Sequence, residues 1–292
     1  MRQLILSAFL LLAGIGCTAG GQAVRAEPGS PTAFRVDVRG HGRPMILIPG
    51  FGSSGEVWDG VVAHYQERFE CHILTLAGFA DAPASEEGAV MPLVREQLAA
   101  YVAARHLDKP VVVGHSMGGV IALSLAAEHP EAVGQLVVVD SLPFLPASND
   151  PSATPSSMSE MALGFRNLLV SQPLDQRRAY QRRVLPTLIS DKDKVEVALD
   201  WMMKSEGRTL GQAFYEMMTT DLRPALGRIQ APALVMGSWA GTPGATRASV
   251  EQAFHSQYAG LSGARIALAN RARHFIMWDD PSWLMQQMDS FL

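Results

Sequence analysis

The chain has 292 residues, 48% of them hydrophobic and 18% charged, which suits one large buried core with an insertion better than two separate domains. The net charge is −4, and no basic cluster or stripe runs along the chain, which excludes a nucleic-acid-binding surface. The first segment is not core sequence. Met1-Arg2-Gln3 gives a short positive start, Leu4 to Ile15 is nearly unbroken apolar sequence, and Val24-Arg25-Ala26 offers a small-x-small cleavage site before Glu27. Residues 1–26 therefore read as a secretory signal peptide, too short and wrongly flanked for a membrane span, and a periplasmic or secreted mature protein is expected. An uncleaved anchor is the alternative. Cys17 raises a lipoprotein reading, but Gly14 stands where a lipidation site carries leucine. Cleavage after Ala26 would remove two arginines and no acid, leaving 22 basic and 28 acidic residues, a net charge of −6. Cys71 would then be the sole cysteine, so no internal disulfide could form, and its place beside an apolar strand reads as a small buried hydrophobe.

Beyond the leader, short apolar runs alternate with helical patterns, the signature of a mostly parallel sheet covered by helices. Phe34 to Val38 alternates with polar residues and suits an edge strand. Met45–Ile48, Ile73–Leu76, Val111–Val113, Leu136–Val139 and Ala233–Met236 are denser, as buried parallel strands should be, and Ile266–Leu268 follows as a last strand. Helices are expected over Val57–Gln66, Met91–His106, Gly118–Glu128 and Ser249–Tyr258, with a final one opened by Pro281.

Residues 143–220 break this rhythm. A connector from Pro146 to Ser157 holds three prolines and reads as loop, and helical patterns without a convincing strand follow. The segment reads as a helical cap inserted into a core formed by residues 27–142 and 221–292. Its many methionines are ordinary core packing or the lining of an adaptable apolar pocket.

Gly114-His115-Ser116-Met117-Gly118 is an instance of G-x-S-x-G, set between the apolar run Val111–Val113 and a helical pattern. The turn must be tight enough to lift the serine hydroxyl above the sheet, and side chains at the flanking positions would strike neighbouring backbone. The following helix points its N-terminal amides toward the same place, favouring negative charge there. His115 reads as a packing residue. Upstream, Ile48-Pro49-Gly50-Phe51-Gly52 follows another apolar strand. Acyl transfer needs two donors for a developing oxyanion, and the backbone amides of Phe51 and Met117 are the expected pair; a turn with a hydrophobic plug is the other reading of the same glycines. A serine needs an imidazole to take its proton. Of eight histidines, only His274 follows the last strand and precedes the last helix, where a loop should return to the serine.

On Pro49-Gly50-Phe51-Gly52, Gly114-His115-Ser116-Met117-Gly118 and His274, the chain from Pro44 to Leu292 resembles the α/β-hydrolase family, in particular its capped esterase and lactonase-like branch. The resemblance implies an α/β fold with a mostly parallel central sheet, helices on both faces and no cofactor.

One part of that pattern is missing. The family's acid usually lies in the loop after the strand that follows the cap, and here that loop, Gly237 to Gly244, holds neither Asp nor Glu. Asp140, at the end of the strand Leu136–Val139, is the expected substitute, because strand C-terminal ends converge on the ligand crevice. A turn-capping role is the plainer reading of the same residue. Asp221 is the competitor, and its neighbours Leu222-Arg223-Pro224 suit a structural link. Asp279 and Asp280 follow the histidine too closely and are expected to cap the last helix. With Ser116, His274 and Asp140 together, the expected reaction is hydrolysis of a small-molecule carboxylic ester with an apolar acyl or alcohol group. Lactone or amide hydrolysis is the alternative, and the missing acid leaves open a binding module without activity.

Overall fold

The computed structural model describes residues 32–148, 150–240 and 244–292. The proposed leader and Cys17 lie outside them. Seven strands form one sheet in the order β1-β3-β2-β4-β5-β6-β7. They are β1 (Phe34–Gly40), β2 (Arg43–Ile48), β3 (Phe69–Leu76), β4 (Val111–His115), β5 (Gln135–Val139), β6 (Ala233–Ser238) and β7 (Arg265–Ala269). All neighbours pair in parallel except β1, which runs antiparallel to β3 at the edge, Phe34 opposite Leu76. The alternation of Phe34 to Val38 marks that half-exposed edge. In β2, β4, β5 and β6 almost every side chain is buried, because helices cover both faces.

Six helices belong to this layer: α1 (Asp59–Tyr65), α2 (Met91–Ala104), α3 (Met117–Glu128), α8 (Arg247–Gln257), α9 (Ile276–Asp279) and α10 (Pro281–Asp289). Successive strand residues point to opposite faces, so the sheet splits the core in two. Ile46, Ile48, Val112, Val138 and Val235 pack against α2, α3 and α8 on one side. Met45, Leu47, Val113, Val137 and Leu234 pack against α1, α9 and α10 on the other. Helix α3 is buried at eleven of its twelve residues, so its apolar composition reflects a central position rather than one amphipathic face. Cys71 is fully buried inside β3.

Between β5 and β6 lie α4 (Pro155–Ser171), α5 (Leu174–Leu188), α6 (Lys192–Lys204) and α7 (Gly207–Thr219). The expected loop over Pro146–Ser157 is shorter than the prolines suggested. Leu145–Ser148 forms a single 3-10 turn, and Pro155 opens α4 as its first residue, where its missing N–H costs nothing. Thr154 and Ser157 close a capping box there. The insertion is joined to both halves of the core. Met202, Leu210 and Ala213 belong to the α2–α3 side, whereas Leu185, Ile189, Val195 and Trp201 belong to the α9–α10 side. Glu216 of α7 is buried, and its carboxylate accepts from the amides of Val90 (3.0 and 3.2 Å) and Met91 (2.7 Å), so the insertion supplies the cap that the N-terminus of α2 lacks in its own sequence. No helix among the described residues is long and apolar enough to cross a membrane.

Candidate active site

The turn from β4 into α3 places Ser116 at φ +53°, ψ −122°, a conformation that side-chain-bearing residues rarely adopt. Two bonds hold it: the Ser116 amide donates to Val139 of β5 (2.9 Å), and its carbonyl accepts from Gly119 (2.8 Å). The glycines are required by close approach. A Cβ on Gly114 would lie 2.2 Å from the Gly118 carbonyl oxygen, and one on Gly118 would lie 2.4 Å from that of Ile48. The β2 loop presses on the same turn, since a Cβ on Gly50 would come within 3.2 Å of the Ser116 Cβ. Phe51 is the next residue of this loop, and Met117 begins α3. Neither the Phe51 nor the Met117 amide donates to another backbone group among the described residues. The Phe51 ring packs edge-on against Phe79 (5.8 Å) and Phe214 of α7 (6.5 Å), so the plug-like packing of this turn and its free amide coexist.

His274 lies on the loop between β7 and α9, and its Nδ1 is 2.7 Å from Asp140 Oδ2. A carboxylate only accepts, so Nδ1 carries the proton and Nε2 is left as the basic nitrogen. Asp140, at the end of β5, is bent out of the strand at φ +45° with its amide donating to Met236 (2.6 Å). Its carboxylate also accepts from the Ser238 amide (2.6 Å) and hydroxyl (2.9 Å) at the end of β6. The pair is largely buried, the Asp140 side chain 10% exposed and that of His274 24%. Asp221 is not near this arrangement in its bonding: its carboxylate is taken by Arg223, at 2.7 and 2.9 Å. The structure therefore brings Asp140, and not Asp221, to His274.

His115 is fully buried and does more than pack. Its ring lies 4.6 Å from that of His274, and its Nε2 donates to the His274 carbonyl at 3.1 Å. Burial, with the nearby His274 adding to it, holds its pKa well below the ordinary histidine value, against the opposing effect of that hydrogen bond. The neutral ring keeps the proton on Nε2. Sequence reasoning missed Ser238 as well as this bond; a lone polar residue ending the otherwise apolar strand β6 was the available signal. The expectation for Asp279 is corrected. Asp280 does accept from Trp283 at the start of α10 (3.4 Å), but Asp279 turns away and accepts from Ser190 and Arg273. It is the last residue of α9, one residue too early to cap α10.

A tight serine turn, a largely buried carboxylate–imidazole pair and two amides without a backbone acceptor among the described residues lie at the C-terminal ends of parallel strands, an arrangement in keeping with a serine-type hydrolase. The alpha/beta hydrolase family profile matches residues 45–287, and the chain belongs to that family. Among its relatives, the pimeloyl-[acyl-carrier protein] methyl ester esterase of Nitrosomonas europaea is 29% identical over 70% of this chain and 79% of its own. That of Chromobacterium violaceum is 31% identical over 68% and 76%. Two solved structures share the fold at low identity. The esterase from Exiguobacterium antarcticum superposes with a TM-score of 0.73 at 14% identity, covering 89% of this chain and 97% of that one. The enol-lactonase from Burkholderia xenovorans gives 0.72 at 16%, covering 88% and 95%.

Proposed function

We propose that the chain is a carboxylic-ester hydrolase in which Ser116 is the nucleophile, His274 the general base and Asp140 the acid that orients it. The observation that carries this reading is the 2.7 Å hydrogen bond from His274 Nδ1 to Asp140, which fixes the tautomer a base needs, beside a serine held in a strained turn. Ser116 Oγ attacks the ester carbonyl as His274 Nε2 takes its proton. The imidazolium, stabilised by Asp140, then returns the proton to the leaving alcohol. Water, activated by the same nitrogen, releases the acid from Ser116. The amides of Phe51 and Met117 hold the oxyanion in both steps, each contributing about 3 kcal/mol.

Ester rather than amide substrates are supported by the named activity of the relatives. An apolar acyl or alcohol group is supported by Phe51 and by Phe214, Met202 and Met217 of the insertion, which acts here as the cap over the site. Export of the mature chain is supported by the leader pattern of residues 1–26. The test is a fluorescent organophosphonate together with p-nitrophenyl esters from acetate to decanoate. The wild-type protein should be labelled at Ser116 and hydrolyse the esters, and S116A should do neither with its circular dichroism unchanged. A wild-type protein that is unlabelled and inactive would sink the reading.

A further inference from the structure

The loop that carries His274 is gripped from two sides. The core holds His274 itself, through Asp140 on the ring and His115 on the carbonyl. The insertion holds both of its neighbours. The Arg273 guanidinium reaches the C-terminal end of α5 and donates to the carbonyls of Pro186 and Ile189, the latter at 3.2 Å. The Phe275 amide donates to the Leu188 carbonyl at 3.2 Å. Asp279 closes the ring: it accepts from the Ser190 amide and hydroxyl, both at 2.9 Å, and from the Arg273 amide at 2.9 Å. The carbonyls at a helix C-terminus lack partners within the helix and carry its negative end, so a cation is favoured there. Helix α5 thus finishes on an arginine that comes from the histidine loop. Packing follows the same line. Phe275, Ile276 and Met277 share one core cluster with Leu185, Ile189, Val195 and Trp201, and Trp278 lies 5.5 Å from the Trp201 ring, with Lys194 Nζ 5.3 Å from the Trp278 centroid.

We propose that Arg273 and Asp279 are positioning residues that make the α5–α6 half of the insertion part of the mounting of His274. The inference rests on the reading of His274 as general base. It adds that this half of the insertion is not only a cover: a substrate that displaces α5 and α6 displaces the base with them. Proton transfer is sensitive to such movement, since misplacement by about 1 Å costs on the order of a hundredfold in rate. Seating of the insertion therefore sets turnover as well as access.

The experiment compares Arg273→Met, Arg273→Lys, Ser190→Ala and, as a control on the same helix, Arg182→Met, which loses an exposed pairing with Glu196. kcat and KM on a soluble p-nitrophenyl ester are measured separately, with the melting temperature and the downfield proton resonance of His274 Nδ1–H. R273M should lower kcat by roughly a hundredfold with KM little changed, and should shift or broaden that resonance. R273K should recover part of both, because an ammonium can still donate to one carbonyl. R182M should match the wild type. An R273M protein with wild-type kcat and an unmoved resonance overturns the proposal, as does one whose loss lies wholly in KM. If R273M fails to fold, S190A carries the test. It removes one bond to Asp279 from an exposed serine, and kcat and the resonance should both move while the melting temperature holds; no change in either overturns the proposal. The readouts also separate this inference from the function it rests on. Failure of wild-type Ser116 to react with an organophosphonate refutes the hydrolase mechanism, whereas the resonance still reports whether Arg273 holds the imidazole.

Discussion

Ser238 donates two hydrogen bonds to Asp140, one from its amide at 2.6 Å and one from its hydroxyl at 2.9 Å. The end of β6, where an acid was expected and found missing, thus carries a donor that fixes an acid on the neighbouring strand. The hydroxyl bonds the same oxygen, Oδ2, that accepts from His274. Removing it should leave the carboxylate held by the Ser238 amide at Oδ1 alone, with Oδ2 less firmly set against the imidazole. S238A is expected to lower kcat by about tenfold, the equivalent of one hydrogen bond to a charged group at roughly 1.4 kcal/mol, with the melting temperature nearly unchanged. Steady-state kinetics on a p-nitrophenyl ester checks this, and an unaltered kcat would remove Ser238 from the account.

Asp140 and Asp221 should respond very differently to loss of charge. D140N replaces the acceptor facing His274 Nδ1 with an amide that can present N–H instead, favouring the wrong tautomer. A fall in kcat on the order of 10⁴ is expected. D221N disturbs a carboxylate occupied by Arg223, so it should alter stability and leave kcat close to wild type. The two variants assayed side by side decide the assignment, and a dead D221N with an active D140N would reverse it.

The burial of His115 makes stability depend on pH. In the folded chain its pKa lies well below the ordinary value, whereas the unfolded chain titrates near 6.5. Below pH 6.5 the unfolded state therefore binds a proton that the folded state refuses. Stability is full above pH 6.5 and falls as the pH drops, by up to about 1.4 kcal/mol per unit for this one group. Denaturant unfolding at pH 7.5 and pH 5 should show the loss, and H115Q should flatten it. An equal slope in H115Q and wild type would assign the effect elsewhere.

Glu216 should matter to folding. E216Q keeps the shape of the side chain but loses the charge that faces the Val90 and Met91 amides and the positive end of α2. A loss of about 1–2 kcal/mol is expected from chemical denaturation. A variant as stable as wild type would show that the amides find water instead.

Cys71 provides a probe of the core. Burial pushes its thiol up to about 11, so neither access nor thiolate favours reaction. A protein made without residues 1–26 should leave Ellman's reagent uncoloured when folded, and denaturant should release one thiol, that of Cys71. Rapid reaction of the folded protein would contradict the packing of β3.

Sequence reading recovered what is encoded locally. The dense apolar runs became strands because buried parallel strands need nearly uninterrupted apolar side chains. The alternating run at Phe34 became the antiparallel edge, and the flanking glycines located the serine turn because backbone contact admits nothing larger. The meeting of Asp140 with His274 was legible through the topology rule that strand ends converge. What was missed depends on contacts between distant segments. Ser238 and Asp140 are 98 residues apart, and His115 and His274 are 159 apart, so no local spacing advertises either bond. Asp279 was misread for the same reason. An aspartate two residues before a proline looks like a helix cap until the α5–α6 turn arrives with Ser190.

The carboxylate that α7 lends to α2 also bears on how such proteins can be remodelled. The insertion interrupts the core at one point in the chain, yet it completes a core helix elsewhere. Exchanging it for the corresponding segment of a relative would preserve the core only if the donor segment carried an acid to the same amides. A splice that ignored this would leave the recipient's α2 with a bare positive end. In this hydrolase the insertion and the capping of a core helix are inherited together.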